Sequence, residues 1–429
     1  MRLDLNTLAA GAAMLVPSQS LIAQMPSGTS PVVAAAPGVA LATRLTPPKR
    51  RADEAIGAFS EPSVSGEWLT VRSAMPAQDA PGALHIYRKS AKGWDHFQTL
   101  LSPDARPVDD GFGWTTAIDG TTLAVGAPDY ELAGVRSGAV LVYRFNGKQW
   151  ALAATIGSPD PVANGYFGQN VALDRGTLVT GEARNAAPGG WAANKAAYVF
   201  KESGGKWGLQ MTLPVPAELA AMTFNDGSHG FGNHVDVDGN TVAVAARDQV
   251  YLYGRRGNTW MLQQRLDAPR DPNDDKDGPG FGRSLDLEGD TLVVAALLAS
   301  GKVPGAGAAF VYRRRGGQWR QEVRLMASDG GKRDMFGHWV ALDKGTIVSG
   351  AFRHAVGGNR QVGAAYVFRQ IKGAWTQTQK VVPSDPEQQL FTGYGVAVGD
   401  GTVVMTAGVK PDHSKSDYLW TFTLPPTKG

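Results

Sequence analysis

Residues 111–150 read GFGWTTAIDGTTLAVGAPDYELAGVRSGAVLVYRFNGKQW. A Phe-Gly start, an Asp-Gly turn, the apolar run LAVGAP, a loop, a second run AVLVYRF and an Asn-Gly turn into Trp150 make one pattern, and it returns along most of the chain. Phe-Gly recurs at Phe112, Phe167, Phe231, Phe281 and Phe336, and a variant, Phe391-Thr392-Gly393, opens a further unit. Trp recurs independently at 94, 150, 207, 260, 319 and 375. Two markers with one period identify a repeat protein.

Each unit holds the same order of short strands. The second strand is apolar throughout, as in LVVAAL (292–297) and IVSGAF (347–352). The third, such as AFVYRR and AYVFRQ, is rich in β-branched and aromatic residues and turns polar at its end. A Gly-containing hairpin leads into a Trp-led fourth strand that alternates, as in WMLQQRL, and alternation marks one wet face. Four antiparallel strands per repeat with an apolar inner pair predict an all-β propeller. Counting gives seven units, so a seven-bladed ring is expected. The seventh is short of a fourth strand, and VALATRLTPP (39–48) has the form of the missing one. Residues 39–46 are therefore expected to complete the last blade, closing the ring and covering a sheet edge.

Composition narrows the function classes. Lys and Arg total 42 against 39 Asp and Glu, a net charge of +3 spread without blocks, which gives no footprint for nucleic acid. There are no cysteines, so thiolate metal sites and Cys nucleophiles are excluded. Residues 1–24 read as a secretory signal, 25–38 as a flexible small-residue linker, 39–424 as the propeller and 425–429 as a tail. Export to the periplasm, cell surface or medium is expected. No stretch approaches the ~20 apolar residues of a membrane span.

Phe112-Gly113 with Gly126-Ala127-Pro128 resembles the motif of the FG-GAP repeat proteins, whose best-known members are the seven-bladed propellers of integrin alpha chains; the other units keep Phe-Gly and drift in the second half. The resemblance covers residues 39–424 and is nearest the bacterial-type repeat. It implies a propeller that recognises a protein or glycan. One departure concerns calcium. Integrin-type repeats insert an acidic loop between the first two strands, whereas this chain has tight turns at Asp119-Gly120, Asp174-Arg175-Gly176 and their counterparts. These supply too few oxygens for the about six to eight ligands calcium takes.

Candidate sites follow from what breaks the repeat. The acidic segment 271–278 places Asn273, Asp275 and Asp277 at the opening spacing of a calcium loop, with Ser284 where the bidentate Glu would fall, so a Ca2+ site there rests on a partial match. No HExxH or GxSxG spacing is present. His338 follows Phe336-Gly337 at the start of an inner strand and is expected to face the central channel, together with Trp114, Gln169, Asn233 and Arg283 at the same repeat position. The periodic Trp residues are read as packing. Trp191 lies off the pattern in a long loop between second and third strands. Those loops vary between copies and share one face, as a recognition surface would. Arg136, Trp191, Lys195, Arg353, His354 and Arg360 are the expected contact residues. The leading reading is an exported, monomeric recognition or adhesion module acting through its loop face. The alternatives are a propeller lyase or hydrolase with a site at the channel mouth, and a lectin with repeated inter-blade sites.

Overall fold

A computed structural model describes residues 38–48, 54–57, 60–74, 80–104, 106, 108–182, 196–220, 230–246, 248–274, 278–300, 303–386, 390–408 and 419–426. The proposed signal and nearly all of the linker lie outside them. Regular structure among the described residues is almost entirely strand, joined by turns and loops, with a single helical turn at Ala217–Ala220.

The repeat unit is a four-stranded antiparallel blade. In the unit quoted above, the strands are Thr116–Asp119, Thr122–Ala127, Ala139–Phe145 and Trp150–Gly157, hydrogen-bonded in that order. Every residue of the second strand is buried, here and in Thr177–Glu182, Thr241–Ala246, Thr291–Ala296 and Thr346–Ala351, because each is covered by a neighbouring blade on both faces. The fourth strand alternates; in Thr259–Asp267, Trp260 is buried and Met261 is exposed. A bulge between the third and fourth strands recurs at one place, between Val142 and Tyr143, Val199 and Phe200, and Leu252 and Tyr253 among others. A bulge sharpens twist, so its repetition gives successive blades the same propeller pitch.

Hydrogen bonding resolves five separate blades rather than the expected seven: four four-stranded sheets and one five-stranded sheet. Of the remaining strands, Glu131–Leu132 and Val135–Arg136 pair as a small two-stranded ribbon and the rest form one eight-stranded sheet. The cause is the strand Gly38–Leu45. Its second half pairs antiparallel with Leu419–Thr423, Thr43 opposite Thr421, which is the N-terminal contribution to the last unit read from the sequence. Its first half pairs in parallel with Ala374–Pro383, Gly38 opposite Gln379, and so joins the last two units into one sheet.

The motif has a steric explanation. The Gly of each Phe-Gly pair has φ near +80°, as Gly113 (+81°) and Gly168 (+84°) do, a conformation that L side chains rarely adopt. That bend drops the Phe ring under its own blade: Phe167 packs at a tilt against Tyr198 and edge-on against Phe200. Gly126, in the second half of the motif, meets the carbonyl of Gly168 in the next blade, and a Cβ there would overlap that oxygen. Trp150 and Trp319 are buried packing residues at the outer edge, as expected. Each is held to the preceding blade by a glutamine amide that bonds both its N–H and its C=O: Gln98 at 2.8 and 2.9 Å, and Gln264 at 2.8 Å in both bonds.

The tight turns between first and second strands carry an inter-blade relay. Asp119 accepts from the amide of Arg175 (2.7 Å), Asp174 from Gly239 (2.7 Å), Asp238 from Gly289 (2.6 Å) and Glu288 from Lys344 (2.9 Å). The repeated acidic residue of the turn therefore bonds the next blade.

Candidate binding site at the channel mouth

The inner strands enter from their Phe-Gly ends, level with the point where the second strands leave for the long loops; the amide of Gly126 bonds the carbonyl of Thr115 at 2.9 Å. After the Gly bend, the next residue of each unit turns toward the axis. A cavity of about 70 Å³ opens there. One blade supplies Trp114 and Thr115, the next Gln169 and Asn170, the next Asn233 and His234, and the remaining wall is Arg283, Trp339 and Tyr394. Four of the five residues grouped at this repeat position from sequence thus line one cavity.

His338 stands just behind the wall. It is 4% exposed, its Nδ1–H donates to the carbonyl of Tyr394 at 2.9 Å, and its Nε2 faces the Arg283 guanidinium at 3.5 Å. Its ring packs against Tyr394 (4.4 Å) and Phe352 (4.6 Å). It props two cavity residues. Arg283 itself lies over the indole of Trp339 at 5.1 Å, and Arg72 lies over Trp114 at 5.5 Å.

Acidic groups surround this wall. Glu61 Oε2 is 3.9 Å from His234 Nε2, and the Glu61 side chain is 23% exposed. Burial pushes its carboxyl up to about 7, with the Asp236 charge adding and Trp339 and Arg283 opposing. Asp236 and Asp286 occupy the third position from the end of adjacent inner strands, where the blades on either side have Ala172 and Ala341. Asp236 accepts from the amides of Val237 and Leu287, each at 2.7 Å, and Asp286 from Leu342 at 2.8 Å. Burial raises Asp236 to about 7, and burial with the neighbouring Asp236 charge raises Asp286 well above the usual carboxylate range. Burial lowers the Arg283 guanidinium, opposed by Tyr394 and Glu61. Perturbed groups of both signs around one cavity are a physical mark of a functional site.

The loop-face candidates are dispersed. Arg136 is half exposed and pairs with Asp129 at 2.8 Å. Arg353 lies over Phe352 at 5.4 Å, and Arg360 is exposed in a turn. His354 is buried between Asp334 (Nδ1 to Oδ2, 2.6 Å) and Lys380 (Nε2 to Nζ, 2.7 Å), in a packed network rather than on the surface. Trp191 and Lys195 lie outside the described residues, as do Asp275 and Asp277 of the proposed Ca2+ loop. Asn273 donates to Asp271 at 3.0 Å, and Asp274 accepts from the amides of Asp271 and Ser300. Among the described residues no trio of His, Asp or Glu is arranged to hold a metal ion, and no helix is long and apolar enough to cross a membrane.

Sequence reasoning missed several residues. Glu61 follows Ser60 where the other units have Gly, and Tyr394 follows the variant Phe-Thr-Gly, so neither was aligned with Trp114. Thr115, Asn170, His234 and Trp339 are one residue further on, and aligning the unit starts would have found them. The change from Ala to Asp at 236 and 286 was equally readable in such an alignment.

The fold and this site define a propeller-like all-β repeat protein with its polar cavity on the axis. Residues 94–143, 260–312 and 319–368 each match the FG-GAP repeat, so the chain carries FG-GAP repeats in three of its units. No curated protein matches the chain. Among solved structures, a functionally unknown protein from Desulfotomaculum acetoxidans DSM 771 is similar at 12% identity, with 76% of this chain and 89% of that chain covered and a TM-score of 0.42.

Proposed function

We propose that this chain is an exported seven-bladed FG-GAP propeller that recognises its ligand at the channel mouth, within the loop face. The seven-blade reading treats the eight-stranded sheet as two four-stranded units: Phe336–Asp343 through Ala374–Pro383, and Val396–Gly399 through Leu419–Thr423 completed by Gly38–Leu45. The observation that carries the binding reading is the contrast at the Phe-Gly position. The two motif residues repeat, yet the residue that follows is Trp114, Gln169, Asn233, Arg283, His338 or Tyr394, and five of these six line one cavity. Packing alone asks for the same side chain in every copy; a ligand of low symmetry asks for different ones. Export is supported by the N-terminal signal pattern, and amino-terminal sequencing of the mature protein tests it.

The test of the site is a plug. Asn233→Trp fills the cavity from one of its lining positions. Glycan and peptide arrays probed with wild type and this variant should show binding that the plug abolishes, and equal binding by both proteins overturns the channel mouth as the site. The enzyme reading has one observation in its favour, the Glu61–His234 pair with its raised carboxyl beside the cavity. A lyase or hydrolase would lose turnover in Glu61→Gln while retaining substrate binding.

A further inference from the structure

Resting on the channel-mouth reading, we propose that the cavity receives the edge of one neutral sugar ring, either a free monosaccharide or the terminal residue of a glycan, in a single site per chain. Three features of the wall point to that chemistry. Trp114, Trp339 and Tyr394 offer apolar ring surface, which suits the C–H faces of a pyranose. Both indoles already carry a guanidinium, Arg72 over Trp114 and Arg283 over Trp339, so a cationic ligand would meet like charge where an aromatic cage should attract it. Between the aromatics stand the amides of Gln169, Asn170 and Asn233. An amide donates and accepts, and so does a hydroxyl, so an array of amides matches a polyol better than an anion or a cation. Asn170 spends its carbonyl oxygen on the amide of Val235 at 3.0 Å and presents its NH2 as the donor.

Charge and size narrow the class. The cavity wall holds one guanidinium, Arg283, which lies over Trp339, so the site lacks the convergent set of cations that a phosphate or nucleotide requires. A volume of about 70 Å³ is roughly half of the ~150 Å³ that accommodates benzene in an apolar protein cavity, so a sugar enters by one edge and its remainder stays in the mouth. That geometry accepts a chain end and rejects the middle of a polysaccharide. It also differs from a lectin with repeated inter-blade sites, which would bind several equivalents.

The experiment is calorimetric titration of the full chain with free glucose, galactose, mannose, N-acetylglucosamine, fucose and xylose and with their methyl glycosides, with acetate and glycine as charged probes. The expected result is saturable binding of at least one sugar at one equivalent per chain. Gln169→Ala and Asn233→Ala should each weaken it about tenfold or more, Lys148→Ala, in an exposed outer hairpin, should leave it unchanged, and near-UV circular dichroism should show all three variants folded. Binding of methyl glycosides identifies a glycan end as ligand, whereas binding of free sugars alone identifies a monosaccharide. Absence of saturable binding by every sugar overturns the inference, as does a stoichiometry of several per chain. If acetate or glycine binds instead and Asn233→Trp abolishes that binding, the sugar assignment falls and the channel-mouth site stands. If a sugar binds and none of the channel variants affects it, both fall together.

Discussion

Arg72 and Asp109 form a buried two-point ion pair, Nη2 lying 2.7 Å from Oδ1 and 2.8 Å from Oδ2, with both side chains about 5% exposed. The same guanidinium donates from Nε to the carbonyl of Phe112 and lies over Trp114. One side chain thus joins the first blade, the loop to the second and the cavity wall. Replacing Arg72 with Leu strands the carboxylate, and the expected loss is about 3–5 kcal/mol. Denaturant unfolding of the single variant and of Arg72→Leu/Asp109→Leu should show the pair recovering part of that loss. A single variant as stable as wild type contradicts the assignment.

The raised carboxyls predict a stability that depends on pH in a definite direction. Glu61 titrates near 7 in the folded chain against an ordinary value of 4.5. A group whose folded pKa is raised contributes fully below the unfolded value, and that contribution is lost as pH climbs through the folded value. Glu61→Gln should therefore melt with wild type near pH 5 and above it near pH 8, by on the order of 1–3 kcal/mol. Asp286→Asn should behave alike, because an amide keeps an acceptor for Leu342 and supplies a donor to Asp236. Parallel melting curves across that range would show that these carboxyls are ordinary.

Gly126→Ala places a methyl group against the carbonyl of Gly168 in the next blade. The expected cost is about 1–3 kcal/mol. Ala245 holds the corresponding place in another unit, so Ala245→Gly should cost no more than about 1 kcal/mol. Thermal melts of the two variants side by side settle the point; a harmless Gly126→Ala would mean that the blades can separate to admit it.

Deleting residues 25–48 removes the strand that pairs with both Leu419–Thr423 and Ala374–Pro383. The melting temperature should fall by more than about 10 °C, with aggregation through the two uncovered edges. Deleting residues 1–24 should leave it unchanged, and equal melting by both truncations would falsify the closure.

The blade was legible because its constraints are local. Phe112-Gly113 demands a left-handed bend, Gly126 a close neighbour and Trp150 a buried edge, and each leaves its residue type in the string. The shared sheet was not legible, since the pairing of Gly38 with Gln379 joins strands more than 300 residues apart and no local pattern encodes it. The site was legible in part. Trp114, Gln169, Asn233 and Arg283 share a repeat position, but Glu61 stands where the motif has decayed. His354 misled because a histidine in a variable loop reads as exposed, while Asp334 and Lys380 that bury it are 20 and 26 residues away.

The Gly38–Leu45 strand also sets a clock on synthesis. It is made 374 residues before the end of the ring that it closes, since Leu45 pairs with Leu419. At roughly 5–20 residues per second the ribosome takes about 20–75 s to span that gap. Throughout that interval the blades form an open arc, and the waiting strand, with Val39 and Leu41 on the side that stays in water even afterwards, is its unclosed end.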